Sequence, residues 1–279
     1  MRSTVSDRAA SMAVPNSATE DVEETRDRRG IQSIEVGGQL LLALGRTGKP
    51  MVLKELAREA GMPAAKAHPY LVSFARLGLI EQDPLTGRYE LGPQLLQLGL
   101  VSLQRLDPVR IATKEIATLS TDTGHTVAIA VWGNMGPTII RVEESSHALH
   151  VNLRTGTVMS LLNTATGLVF AAFLAPKVVE GMIKNEASRV GGLADPPSQK
   201  KIEALLAEVR RHGLARVAGT PIPGINAVSA PVFDHAGNIA LAITAMGPSG
   251  VFDPDYDGPT AKVVVEAANR ISRLLGYNP

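Results

Sequence analysis

Apolar positions first become periodic at Ile31. Val36, Leu40, Leu41 and Leu44 fall at helical spacing ahead of Gly45 and the turn-like Thr47-Gly48-Lys49-Pro50, which predicts a first helix. Leu53, Leu56, Ala57 and Ala60 follow at i, i+3, i+4 and i+7, with charged residues between them and Gly61 where a left-handed stop belongs. Only Gly61 and Met62 separate this second helix from Pro63, which suits the first position of a third. There Ala67, Tyr70, Leu71, Phe74 and Leu77 form one stripe. Two short helices joined by so tight a turn are a helix-turn-helix pattern. Leu79-Ile80-Glu81-Gln82 and Arg88-Tyr89-Glu90-Leu91 then flank Asp83-Pro84-Leu85-Thr86-Gly87, two short strands around a turn in which Pro84 presets φ and Gly87 accepts a positive one. Helix, helix-turn-helix and hairpin in this order predict a winged helix over 31–92.

Pro93 to Arg105 is apolar nearly all round and cannot be a solvated linker. The pattern predicts a connecting helix within 93–106 that packs on a second subunit or on its own C-terminal domain. From 107 to 279 the pattern reads as one α+β domain. A helix over Pro108 to Thr123 precedes strands over Thr126 to Trp132, Thr138 to Val142 and Leu149 to Leu153, with Gly133-Asn134-Met135-Gly136 as the first turn. Helices over Asn163 to Leu174, Pro176 to Asn185 and Lys200 to His212 come next, the last capped by Ser198 and stopped by Gly213. Strands over Asn226 to Phe233 and Asn238 to Met246 flank Asp234-His235-Ala236-Gly237, and a final helix covers Pro259 to Leu275. Hairpin-connected strands separated by helices predict an antiparallel sheet with helices on its faces. Residues 1–30, with the run Glu20-Asp21-Val22-Glu23-Glu24-Thr25-Arg26-Asp27-Arg28-Arg29, lack apolar periodicity and read as a solvated tail.

Composition narrows the chemistry. The 279 residues are 44% hydrophobic, enough for two cored domains, and no apolar run reaches the length of a spanning helix or a secretory signal. The expected setting is the cytoplasm, without a membrane partner. The absence of cysteine excludes disulfides, thiolate nucleophiles, zinc ribbons and iron–sulfur clusters. A formal net charge of +1 means that any nucleic-acid binding must come from a local surface.

Several motifs resemble the IclR family of bacterial transcription regulators. The wing and its exit, Glu81-Gln82-Asp83-Pro84-Leu85-Thr86-Gly87-Arg88-Tyr89-Glu90-Leu91-Gly92-Pro93, are similar to the family's D-x-x-T-G-x-Y-x-L-G hairpin. Leu56-Ala57-Arg58-Glu59-Ala60-Gly61-Met62-Pro63, Asn163-Thr164-Ala165-Thr166-Gly167, Ala230-Pro231-Val232-Phe233-Asp234 and Met246-Gly247-Pro248 extend the resemblance over about Ile31 to Tyr277. It implies a winged-helix domain on promoter DNA, a GAF-like effector domain, and a homodimer or dimer of dimers.

A recognition helix presents its N-terminal residues to the major groove, so the base-edge candidates are the outward positions Ala64, Ala65, Lys66, His68 and Ser73. Lys66 and His68 can donate to guanine and the alanines can touch a thymine methyl. Arg46, Lys49, Arg76 and Arg88 are candidates for phosphates, Arg88 also for the minor groove from the wing. Each of these charges also reads as ordinary solvated surface. Pro69 stands where the family commonly has arginine. It removes the amide bond to the Ala65 carbonyl, which predicts a kink or a shortened first turn.

The resemblance further implies an effector pocket between Val151, Met159, Ala165 and Thr166 on one side and Ala227, Thr244 and Met246 on the other. Where many members read P-L-H-A-T-A-x-G-K, this chain reads Ser160-Leu161-Leu162-Asn163-Thr164-Ala165-Thr166-Gly167-Leu168, and Val217 replaces an acidic residue of members that bind small keto acids. A lining of Leu, Val and Met favours an aromatic or otherwise hydrophobic ligand. Its carboxylate can meet free N–H groups at the Thr164 helix start, with Asn163, Thr164 and Thr166 as side-chain partners.

Catalysis would have to use His125, His147, His150, His212 or His235, none of which stands at H-E-x-x-H spacing, and neither a G-x-S-x-G elbow nor a phosphate-binding P-loop is present. The expectation is therefore a regulator without cofactor or metal that represses a catabolic operon until its effector arrives. An activator of the same fold, or a C-terminal domain that only oligomerises, stays open at this point.

Overall fold

The structure, a computed structural model, describes residues 30–145, 153–187, 197–219 and 222–278. The chain divides into two compact units, the first ending at Ser102 and the second beginning at Leu103.

The first unit holds α1 (Gln32–Thr47), α2 (Leu53–Glu59), α3 (Ala64–Arg76), β1 (Ile80–Gln82), β2 (Tyr89–Leu91) and most of α4 (Pro93–Gln104). Leu40, Leu44, Leu56, Ala57, Ala67, Leu71, Ile80 and Tyr89 make one core, so the helical stripes and the inner face of the hairpin meet as the periodicity requires. Three details differ from the pattern. α1 runs through Gly45, because Gly48 takes the left-handed conformation at φ 60° and donates its N–H to Leu44 at 3.0 Å. Pro63 is the cap of α3 rather than its first helical residue. Leu77 lies just beyond α3 and is 63% exposed, outside the stripe that the spacing extends to it. A contact that no local pattern announces joins Met51 to Tyr89 through a reciprocal pair of backbone hydrogen bonds of 3.0 and 2.7 Å, adding a third edge to the wing.

α4 spans the expected linker. None of its residues is buried, and Leu96, Leu98, Leu100, Val101 and Leu103 are exposed.

The second unit is built on a five-stranded, fully antiparallel sheet. Its strands are β3 (Thr126–Gly133), β4 (Gly136–Glu143), β5 (Ala215–Ala218), β6 (Ile225–Phe233) and β7 (Ile239–Pro248), in the order β4-β3-β7-β6-β5. Alternation sorts the side chains. Val127, Ile129, Val228, Val232, Leu241 and Ile243 face α5 (Pro108–Thr123) and α9 (Pro259–Leu274). Ala128, Ala130, Ala227, Ala242 and Met246 face α6 (Ala165–Phe173) and α8 (Gln199–His212), with α7 (Pro176–Ala187) alongside. β5 is absent from the sequence reading, and the strand expected over Leu149 to Leu153 is not found at Leu153, its other residues lying outside the described ones. α6 begins two residues late because Thr164, not Asn163, caps it. Ser198 occupies the cap position of α8 without a capping bond from its side chain.

Candidate DNA interface and effector site

α3 is uninterrupted from Ala64 to Arg76, so Pro69 does not shorten its first turn. Ala65, Lys66, His68, Pro69, Ser73 and Arg76 are exposed together on its outer face, whereas Ala64 is half-buried and packs against the core. Ser73 donates its hydroxyl to the Pro69 carbonyl at 3.0 Å, a back-bond that holds it to its own helix. Arg46 donates to the Glu59 carbonyl at 3.4 Å, and Lys49 is exposed in the turn after α1.

The wing is chemically different from this face. Arg88 donates to the Pro50 carbonyl at 3.0 Å and lies 3.7 Å from the Glu55 carboxylate, which itself accepts the Val52 N–H at 3.4 Å. Its guanidinium therefore ties the wing to the start of α2. Glu81 and Glu90 stand directly opposite each other in the β1–β2 register, both exposed, so the hairpin offers two like charges rather than a basic edge. The turn between the strands is organised by Asp83, whose carboxylate accepts from Leu85 N at 2.7 Å and Thr86 N at 3.3 Å, with Gly87 at φ 65°. The Leu85 amide, then the Thr86 side chain and amide, hold the Asp83 carboxyl below its ordinary range. A depressed folded pKa stabilises the turn above the ordinary carboxylate range and ceases to do so as pH falls through the folded value. Acid titration followed by NMR is expected to release the Leu85 and Thr86 amides together below the usual Asp range. Amides that keep their shifts to the lowest pH at which the fold persists would contradict that linkage.

In the second unit, α6 opens beside the sheet. Thr164 Oγ1 accepts from Gly167 N at 3.0 Å and donates to the Ser160 carbonyl at 2.7 Å, while the N–H groups of Ala165 and Thr166 make no hydrogen bond among the described residues. The Leu161 N–H is fixed by Glu186 of α7 at 3.0 Å. Against this helix start lies a cavity of about 50 Å³ lined by Leu153, Met159, Thr164, Ala165, Thr166, Val217, Ile222, Ile225, Ala227, Thr244 and Met246. Seven expected effector residues are therefore brought together: Met159, Thr164, Ala165, Thr166, Ala227, Thr244 and Met246. Asn163 is exposed and does not line the cavity, and Val151 lies outside the described residues. Leu153, Ile222 and Ile225 are additions. The last two sit in Pro221-Ile222-Pro223-Gly224-Ile225, where proline and glycine erase any periodic signal. Thr166 and Thr244 meet at 2.8 Å, and Thr244 donates onward to Ser229 at 2.9 Å, a line of three buried hydroxyls in an otherwise apolar layer.

Among the described residues the histidines do not assemble a site, and His147 and His150 lie outside them. His125 packs on Phe252 at 4.6 Å, His212 stacks on Tyr256 at 3.8 Å, and no group of three potential metal ligands occurs among the described residues. No helix of the described residues is long and apolar enough to cross a membrane.

A winged helix joined to an antiparallel-sheet domain with a cavity at a helix start is the architecture of a DNA-binding transcription regulator. The signature of the IclR helix-turn-helix domain matches residues 33–84 and that of the bacterial transcriptional regulator IclR C-terminal domain matches 100–273, so the chain belongs to the IclR family. The crystal structure of Pseudomonas aeruginosa HmgR superposes with a TM-score of 0.83 at 36% identity, over 89% of this chain and 99% of that one. The glycerol operon regulatory protein of Streptomyces griseus is 28% identical over 254 residues, 89% of this chain and 98% of its own length. The transcriptional repressor IclR of Escherichia coli K12 is 22% identical over 248 residues, 88% and 90% respectively.

Proposed function

We propose that the protein is a cytoplasmic repressor of a catabolic operon, released from promoter DNA by an aromatic or otherwise hydrophobic acid. The observation that carries the ligand reading is the lining of the α6 cavity: Leu153, Met159, Val217, Ile222, Ile225 and Met246 supply an apolar body, and the unpaired N–H groups of Ala165 and Thr166 stand at its polar end. Val217 in place of a charge disfavours a small hydrophilic acid, which would gain little from burial. The repressor sense leans on the name of the Escherichia coli relative, and the operon setting on that of the Streptomyces griseus relative.

The cavity of about 50 Å³ is smaller than the roughly 150 Å³ that accommodates benzene, so the effector must favour a state in which the site is open. Operator affinity changes only if that state also favours a different arrangement of paired DNA modules. A homodimer, alone or as a dimer of dimers, supplies the pairing, with the exposed leucines of α4 as the surface it covers.

The deciding experiment titrates the full-length protein against DNA upstream of its own gene and neighbouring operons, at two salt concentrations, with and without a panel of aromatic acids. Specific binding that one acid abolishes is the expected result. Binding that no acid disturbs removes the effector claim, and the lack of any specific complex removes the repressor claim. Base and phosphate contacts are assigned to Ala65, Lys66, His68, Ser73 and Arg76 on α3, with Arg46 and Lys49 beside it, while Arg88 serves mainly to hold the wing. Pro69 faces outward among the first group, so Pro69→Arg should strengthen non-specific binding and steepen the salt dependence, by about 0.9 in the log–log slope per added phosphate contact. An unchanged slope would place position 69 away from the DNA.

A further inference from the structure

A cleft of about 560 Å³ lies between α7 and α8, and it shares no lining residue with the cavity at the start of α6. Its apolar walls follow from helical spacing: Val179 and Ile183 stand one turn apart on α7, Ile202 and Leu206 one turn apart on α8, and Ala171 and Leu174 close the space from the end of α6. The α7 wall runs from Pro176 to Lys184, about 12 Å at helical rise. The volume is that of a small-molecule site. No aromatic side chain lines it, so its shape and chemistry suit an aliphatic chain better than a ring.

The polar groups of the cleft are not equally satisfied. Gln199 donates to the Glu203 carboxylate at 3.1 Å, and Glu180 and Lys184 are four residues apart on α7, the spacing at which opposite charges on a helix offset each other. Arg210 is the charge left over. Its Nε donates to the Ala172 carbonyl at 2.6 Å, which fixes the guanidinium at the α6 end of the cleft. Its two terminal nitrogens make no hydrogen bond and no ion pair among the described residues. A planar guanidinium held by one N–H, with others free, is suited to a carboxylate.

We propose that this cleft is a second ligand site, for a medium-chain aliphatic carboxylate whose head group is held by Arg210 and whose chain lies along Val179, Ile183, Ile202 and Leu206. The inference does not rest on the reading of the α6 cavity. The two sites meet in one helix, since Ala165 and Thr166 at the start of α6 line the first and Ala171 near its end lines the second.

Calorimetric titration of the full-length protein with octanoate, decanoate and 1-octanol tests it. In wild type, decanoate should bind about tenfold more tightly than octanoate, as two further buried methylenes require. Arg210→Gln should weaken both carboxylates about tenfold and leave 1-octanol unchanged, whereas a merely structural role for Arg210 would weaken all three alike. Ile183→Trp fills the cleft and should weaken every probe at least tenfold, while Ile222→Trp, at a 43% exposed wall of the other cavity, should alter none of them. Absence of binding to wild type overturns the site. So does binding that neither Arg210→Gln nor Ile183→Trp changes, and loss in Ile222→Trp alone would assign the acids to the α6 cavity instead.

Discussion

Gly167→Ala is expected to destabilise the C-terminal unit by about 3 kcal/mol, at the severe end of overpacking substitutions. Gly167 sits in the first turn of α6, and a Cβ at this position runs into the Ser160 carbonyl oxygen and comes within 2.7 Å of the Leu161 carbonyl carbon. These obstacles are backbone, so no rotamer change relieves them. They belong to the turn that carries the Thr164 cap bond and the Glu186 anchor, so relief requires α6 to back away from the cavity it helps to line. Helix propensity pulls the other way by roughly 1 kcal/mol for glycine to alanine. Gly181 in α7 isolates that opposing effect, because a methyl group there would meet nothing within 4 Å and Gly181→Ala should stabilise by about 0.5–1 kcal/mol. Urea unfolding of the two variants should therefore move in opposite directions. Equal stabilities would mean that α6 is not held against the 160–161 turn.

The same glycine illustrates what a sequence conveys and what it withholds. Asp107-Pro108 and Gly124 bracket α5 at the expected residues because each end has local chemistry: Asp107 accepts from Val109 and Arg110 N–H at 3.0 and 3.1 Å, and Gly124 takes φ 67°. Unbroken apolar runs bounded by turn residues likewise reveal β3, β6 and β7, where both faces are covered by helices and both sets of side chains stay apolar. β5 escapes the pattern because four residues at a sheet edge are too short for alternation to register. The Arg88 tether to Pro50 and Glu55 escapes it because partners more than thirty positions apart meet only in the fold.

For the candidate effector site, family motifs point to the α6 start and the β6 and β7 walls, and Thr164, Ala165, Thr166, Ala227, Thr244 and Met246 do line one cavity, as does Val217, unusual against those motifs. Ile222 and Ile225 are not legible, since Pro223 and Gly224 interrupt any period between them. Nor is the hydroxyl line. Nothing in the spacing of Thr166, Ser229 and Thr244 says that three separate elements bring them together along a single path with steps of 2.8 and 2.9 Å.

That line gives the second large effect. Thr244 stands in the middle, meeting Thr166 on α6 and donating to Ser229 on β6, and all three are nearly inaccessible to solvent. Thr244→Val keeps the shape and removes both bonds at once, stranding two buried hydroxyls in a layer of Ala227, Ala242 and Met246. Each stranded group costs about 1–3 kcal/mol, so a loss of about 3 kcal/mol is expected for the C-terminal unit. Thr166→Val removes only the terminal member and leaves the Thr244–Ser229 bond intact, for about 1 kcal/mol. Once Thr244 is valine, Thr166 has no partner left to lose, so adding Thr166→Val should cost little or restore stability. The expected signature is a coupling energy of about 1 kcal/mol or more in the double-mutant cycle, read from urea unfolding with unchanged dependence on denaturant. Strict additivity would show that the hydroxyls act separately and that α6 is held to the sheet by its apolar contacts alone.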